Sequence, residues 1–67
     1  MKFEVGNIVR IMGDSGHSRR LKIGTIGVIS EIDNTAILLP YKVKDESSNQ
    51  YWWYNENDIE LIERKGE

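Results

Sequence analysis

The chain has 67 residues, of which 9 are Lys or Arg and 11 are Asp or Glu, and its formal net charge is −2. A chain this short holds one small domain, and its longest apolar run, Ala36 to Pro40, is far too short to span a membrane. The absence of cysteine excludes disulfides, thiolate metal sites and cysteine nucleophiles, and no secretory signal is visible.

A turn at Val5 to Asn7 leads into the first predicted strand, Asn7 to Met12, which is rich in β-branched residues. Side chains alternate along a strand, so one face collects the apolar residues at odd positions. These are Val5, Val9 and Ile11. A cluster of Gly, Asp and Ser then begins a loop of about ten residues, and a loop of that length in so small a domain is often functional.

The second predicted strand, Ile23 to Ile32, is long and bent. Its glycines, Gly24 and Gly27, indicate a bulge, a sharp bend or a close approach between backbones. A shared face is predicted for Ile26, Val28 and Ile32. Asp33 and Asn34 then form a turn.

The third predicted strand runs from Ala36 to Lys44. Its apolar face carries Ile37, Leu39, Tyr41 and Val43. Pro40 cannot donate a ladder hydrogen bond, which favours an edge or a bulge. Self-association through an apolar edge near Ile37 to Tyr41 therefore stays open, and we expect a monomer or a weak homodimer.

The fourth predicted strand is Gln50 to Tyr54, and a tight turn with one 3₁₀ turn separates it from the fifth, Ile59 to Ile62. A charged tail at residues 63–67 is expected to fray. A terminal helix capped by Asn55 is the rival interpretation. The alternation of apolar residues after residue 58 favours the strand. The predicted fold class is therefore all-β, a five-stranded small barrel over residues 1–67, because closure removes exposed edges.

Three segments, Asn7 to Ile11, Ile23 to Ile29 and Asn57 to Ile62, recur in this order in SH3-like small barrels. The layout resembles SH3-like proteins of bacteria and their phages, and the middle segment is similar to KOW and Mib/Herc2-type modules. The resemblance implies an SH3-like barrel with a 3₁₀ turn before the last strand. It also implies binding of proteins, peptides or nucleic acid, and an accessory protein that modulates a host factor.

Four aromatic residues follow one another at Tyr51, Trp52, Trp53 and Tyr54, and alternate ones face opposite ways in a strand. One pair can enter the core, and the other then lies at or near the surface unless a loop or the last strand covers it. We predict that Trp52 and Tyr54, with Tyr41 on the preceding strand, form an exposed patch that docks on a protein, because Trp and Tyr are frequent interface hot spots. Which of Trp52 and Trp53 lies outside stays open, since a bulge would exchange the faces.

The basic residues Arg19, Arg20 and Lys22 are concentrated in the long loop of an otherwise acidic chain. We expect them to add an electrostatic contact to the protein partner, because arginine binds carboxylate and phosphate in bidentate fashion. The alternative is a nucleic-acid module in which this loop binds phosphates and aromatic rings stack on bases. The pI of about 5.3 opposes long-range attraction of phosphates.

Catalytic chemistry finds no support in the sequence. His17 has no accompanying metal ligands and no positioned nucleophile. The paired carboxylates lie in polar turns or on alternating strands, where nothing indicates the burial that perturbs acidity. We therefore expect a cytoplasmic, non-enzymatic binding module without metal or cofactor.

Overall fold

The computed structural model describes residues 3–13, 21–36 and 38–63. Five strands and one 3₁₀ turn are formed, and no α-helix occurs in these ranges. The strands are β1 (Ile8–Ile11), β2 (Ile26–Ile32), β3 (Tyr41–Asp45), β4 (Tyr51–Tyr54) and β5 (Ile59–Glu63), and the 3₁₀ turn is Glu56–Asp58. The predictions of an all-β chain, of five strands and of a 3₁₀ turn before the last strand are confirmed. The rival helix is not formed, and Asn55 caps the 3₁₀ turn by accepting a hydrogen bond from the Asn57 amide at 2.7 Å.

All five strands belong to one antiparallel sheet in the order β4-β3-β2-β1-β5. The two edge strands are thus successive in the chain, and only Asn55 and the 3₁₀ turn join them. In a flat sheet β4 and β5 would lie about 19 Å apart, at ~4.8 Å per strand. The connection from Tyr54 to Ile59 spans at most roughly 13 Å, because its three 3₁₀ residues advance only about 2 Å each and the two remaining steps about 3.4 Å each. The sheet is therefore curved.

The curved sheet is nevertheless open. No ladder joins β4 to β5 in the ranges that the structure describes. The 3₁₀ turn is fixed instead to the end of β1, where the amides of Met12 and Gly13 donate to the Asp58 carbonyl at 2.7 and 3.2 Å. The closed SH3-like barrel remains a prediction.

The concave face of the sheet holds the hydrophobic core. Its buried members are Phe3, Val9, Ile11, Ile29, Tyr41, Val43, Tyr54 and Ile59. Half-buried Leu21, Ile32, Trp52 and Leu61 pack against them. Val9 and Ile11 confirm the predicted inner face of β1, whereas Val5 lies in the turn before it and is 60% exposed.

A bulge in β2 overturns the face predicted for Ile26, Val28 and Ile32. The β2–β3 register shifts between Ile29 and Glu31, so one extra residue enters β2. Ile29 is fully buried, and alternation therefore sends Ile26 and Val28 to the outer face. The extra residue then reverses the phase, and Ile32 packs against the core. The start of β2 is also later than predicted, because residues 22–25 form a turn with Gly24 at φ 95°.

β3 begins at Tyr41, later than predicted, and lies inside the sheet between β2 and β4. The prediction that Tyr41 belongs to an exposed edge strand is therefore wrong. Ile37, at the other end of the predicted edge, lies outside the described residues. Pro40 is buried immediately before the strand, where its carbonyl accepts from the Asp33 amide at 2.8 Å. At the other end of the chain, Glu63 pairs with Ile8 in β5 rather than fraying, and residues 64–67 are not described.

Gly27 lies at a close approach between β2 and β3, as one of the sequence alternatives predicted. A Cβ at this position would lie 2.5 Å from the Lys44 carbonyl oxygen and 2.8 Å from Val43 Cγ1. Both neighbours are held in the sheet, since Val43 is fully buried and the oxygen belongs to the backbone of β3. A side chain at Gly27 therefore requires the two strands to separate.

We expect Gly27→Ala to lower the free energy of unfolding by about 3 kcal/mol or more, because overpacking displaces a backbone. Gly24→Ala is the matched control. A Cβ there meets nothing within 4 Å, and only the strain of its positive φ remains, about 1–2 kcal/mol. Urea denaturation followed by tryptophan fluorescence measures both values. Equal losses for the two variants would contradict the close approach at Gly27.

Candidate binding surface

The sequence-predicted aromatic patch is divided between the core and its margin. Tyr41 and Tyr54 lie opposite each other in the β3–β4 ladder and are 2% and 0% exposed. Trp52 is half-buried and packs against the core from the same inner face. The expectation that Tyr41 and Tyr54 present their rings to a partner is therefore corrected: both are core residues. The docking prediction placed Trp52 and Tyr54 on the outer face of β4, whereas both lie on its inner face.

The hydroxyl groups of the two inner tyrosines explain this phase. Tyr54 Oη accepts a hydrogen bond from the Leu21 amide at 2.9 Å, and Tyr41 Oη accepts one from the Phe3 amide at 3.3 Å. The Phe3 ring also packs edge-on against Tyr41, with centroids 5.2 Å apart. A buried tyrosine needs a partner for its hydroxyl. Here the partners are main-chain groups of two segments that precede β1 and β2.

We expect Tyr54→Phe to lower the free energy of unfolding by about 1–2 kcal/mol, because the Leu21 amide loses this acceptor in a half-buried position. Tyr41→Phe removes a longer bond and should cost less. Urea denaturation of both variants tests the ranking. A loss for Tyr41→Phe that exceeds the loss for Tyr54→Phe would show that the Leu21 contact is not the stronger anchor.

The outer face of β3 and β4 carries a block of basic and aromatic side chains. The register pairs Lys42 with Trp53 and Lys44 with Tyr51, and all four point away from the core because their neighbours Val43 and Tyr54 are fully buried. Tyr51 is 52% exposed, Lys44 is exposed, and Trp53 is half-buried. We call Lys42, Lys44, Tyr51 and Trp53 the outer block.

Lys42 is the ordered centre of the outer block. Its ammonium nitrogen lies 4.2 Å from the centroid of the Tyr51 ring, diagonally across the ladder. The same nitrogen lies 4.0 Å from Glu31 Oε1, at the limit of an ion pair. Only 26% of the Lys42 side chain is exposed, so its methylene groups cover apolar surface while its charge remains at the face. A cation over an exposed aromatic ring contributes about 0.5–1 kcal/mol.

The other half of the outer face is apolar and charge-balanced. Val28 lies next to Lys44 in the sheet, and Ile8 lies next to Val28, both half-buried. Beyond them, Arg10 of β1 and Glu60 of β5 form an ion pair at 2.9 Å. On the β2 side, Lys44 is thus bordered by apolar Val28 and Lys42 by acidic Glu31.

The β3–β4 turn fixes the register that creates the outer block. Asp45 Oδ1 accepts hydrogen bonds from the amide and the hydroxyl of Ser47, both at 2.9 Å, and Oδ2 accepts one from the Ser48 hydroxyl at 3.1 Å. These donors favour the charged carboxylate, the Ser47 amide most of all, and they lower the pKa of Asp45 below its ordinary value. Asn49 follows with a positive φ of 62°, which closes the turn.

The folded-state pKa of Asp45 is below its unfolded value, so its contribution to the turn is fully present above the unfolded pKa and is lost as pH falls through the folded pKa. We therefore expect the Ser47 amide resonance to shift on acidification with a midpoint below the ordinary pKa of an aspartate side chain. NMR titration measures this midpoint, and Asp45→Asn should abolish the transition. A midpoint at or above the ordinary pKa of an aspartate side chain in the wild type would contradict the hydrogen-bonded turn.

The predicted basic loop is only partly within the described residues. Arg19 and Arg20 lie outside them, as does His17. Lys22 is exposed at the start of the turn before β2, and its carbonyl accepts from the Thr25 amide at 3.0 Å. Through Leu21, the end of the loop is bonded to the Tyr54 hydroxyl of β4.

The outer block was not among the residues predicted to bind, although the sequence carries a signal for it. Lys42 and Lys44 flank Val43, which marks them as outward-facing once Val43 is placed in the core. The antiparallel turn after Asp45 then brings Tyr51 and Trp53 beside them. The missing step was the exact pairing of the two strands.

Other chemistries and known proteins give no further guide. Among residues 3–13, 21–36 and 38–63, no three His, Cys, Asp or Glu side chains form a group that could hold a metal ion. None of the helical structure described there has the length and apolar character needed to cross a membrane. Comparisons with protein-family models, curated proteins and solved structures give no match.

Proposed function

We propose that this protein is a non-enzymatic binding module that docks on a protein partner through the outer block. The observation that supports this proposal is the β3–β4 register, which sets Tyr51 and Trp53 beside Lys42 and Lys44 on the outer face of the sheet. Tyrosine and tryptophan are enriched among the residues that dominate interface energetics. Here they replace Tyr41 and Tyr54 as the proposed contact residues.

The outer block is also well suited to binding because it is preorganised. Its four side chains are carried by paired strands, and the turn between these strands is fixed by the Asp45 hydrogen bonds. Lys42 is already packed over Tyr51. Less conformational entropy is lost on association when contact residues are held in place beforehand.

The basic loop supplies a second, electrostatic contact in this proposal. Arg19, Arg20 and Lys22 are the residues concerned. The bond between the Leu21 amide and the Tyr54 hydroxyl supports it, because it ties the end of the loop to the strand that carries the aromatic residues. Because the sequence resembles SH3-like proteins of bacteria and their phages, we propose a cytoplasmic accessory role. In this role the module masks or bridges a surface of another protein, such as a host factor.

A nucleic-acid module is the second candidate, and the outer block itself is the observation that favours it. Aromatic rings beside lysines also form the stacking platforms of proteins that bind single strands. The net charge of −2 argues against nucleic-acid binding, since the binding of phosphates is driven by positive charge. Steep salt dependence of binding is the property that separates the two candidates.

We expect Tyr51→Ala to weaken capture of the partner by roughly tenfold, because truncating an interface aromatic costs about 1–2 kcal/mol. Ile62→Ala is the matched control, since Ile62 is 42% exposed on the far edge strand. Quantitative mass spectrometry of pull-downs from native lysate, with and without nuclease, measures the effect. A protein retained equally by both variants would contradict docking through the outer block, and loss of all captured material after nuclease would favour the nucleic-acid candidate.

A further inference from the structure

The two lysines of the outer block have a spacing that an extended chain can match. Lys42 and Lys44 are two residues apart on one face of β3, which places their Cα atoms about 6.6–6.8 Å apart. An extended peptide repeats its side chains on one face at the same interval. Two anionic side chains at alternate positions of such a peptide would therefore meet both lysines in a single orientation.

The positive charge of the described outer face is concentrated on these lysines. Arg10 is neutralised by Glu60 at 2.9 Å, with both atoms on the opposite half of the sheet. Lys42 has Glu31 only at 4.0 Å, and Lys44 forms no ion pair within the described residues. A second carboxylate approaching Lys42 would thus meet a cation whose existing ion pair, at 4.0 Å, is long and has an exposed acidic partner.

We infer that the outer block binds an extended acidic segment of a partner protein, in which two carboxylates at alternate positions pair with Lys42 and Lys44. The backbone and methylene groups of that segment lie on the rings of Tyr51 and Trp53. This inference rests on the proposed docking function and adds the chemistry of the partner to it.

The surrounding charges favour a short acidic segment over a nucleic-acid strand. Glu31 borders the lysines on β2, and Asp45 with Glu46 borders them at the turn. A polynucleotide carries a phosphate on every nucleotide and would extend past these carboxylates in both directions. A protein segment with two carboxylates places negative charge only over the lysines, so the repulsion is avoided.

Selection from a display library of random twelve-residue linear peptides tests this inference at low salt. We expect enrichment of peptides with two Asp or Glu residues at alternate positions. A synthetic peptide of the enriched sequence, titrated by tryptophan fluorescence, should bind the Lys42→Gln/Lys44→Gln variant at least tenfold more weakly than the wild type. Arg10→Gln removes the same type of charge from the same face and should bind normally. Binding should weaken as salt is raised.

The outcomes separate this inference from the docking function. Enriched peptides that lack paired acidic residues but lose binding with Tyr51→Ala would overturn the acidic segment and leave docking intact. Absence of any enriched peptide would overturn the inference that the partner segment is acidic. The pull-down from native lysate would then be the test of whether the outer block docks on a protein. Tighter binding of a ten-nucleotide thymidine oligomer than of the selected peptide would assign the lysines to nucleic acid and overturn the inference.

Discussion

The alternation of side chains across the β3–β4 ladder is the constraint on which the rest of the molecule depends. Tyr41 and Tyr54 face each other on the inner side, and their hydroxyls bond the main chain at Phe3 and Leu21. Reversing the phase of β4 would expose a fully buried ring and remove the acceptor of the Leu21 amide. The same register places every member of the outer block on the outer face of the sheet. The pairing of β3 with β4 therefore determines both which residues enter the core and which residues form the candidate surface.

The number and order of the strands could be read from the sequence because local patterns encode them. Val9 and Ile11 alternate with polar positions, and residues 55–58 have the polar character of a tight turn. The faces of β4 could not be read in this way, since all four of its residues are aromatic and both phases are equally apolar. What decides between them is a pair of hydrogen bonds that distant main-chain amides donate to the tyrosine hydroxyl groups, and no local pattern contains these bonds.

The error in β2 has a different physical origin. A run of β-branched residues predicts a strand but does not reveal where one additional residue enters it. The bulge between Ile29 and Glu31 inserts Ser30, whose hydroxyl bonds the Lys42 carbonyl at 3.4 Å, and it exchanges the two faces midway along the strand. Ile26 and Val28 therefore contribute to the apolar outer surface, although their composition is that of core residues.

The strand order also implies a sequence of events during folding. β2, β3 and β4 form a meander in which each strand pairs with the next one in the chain. The pairing of β1 with β5 instead brings together distant residues such as Arg10 and Glu60, which are 50 positions apart in the sequence. Closing so long a loop carries a larger entropic cost than forming adjacent hairpins. The candidate surface belongs entirely to the local meander. Its strands are thus paired through contacts that are close in the sequence, and transient detachment of β5 leaves that pairing in place.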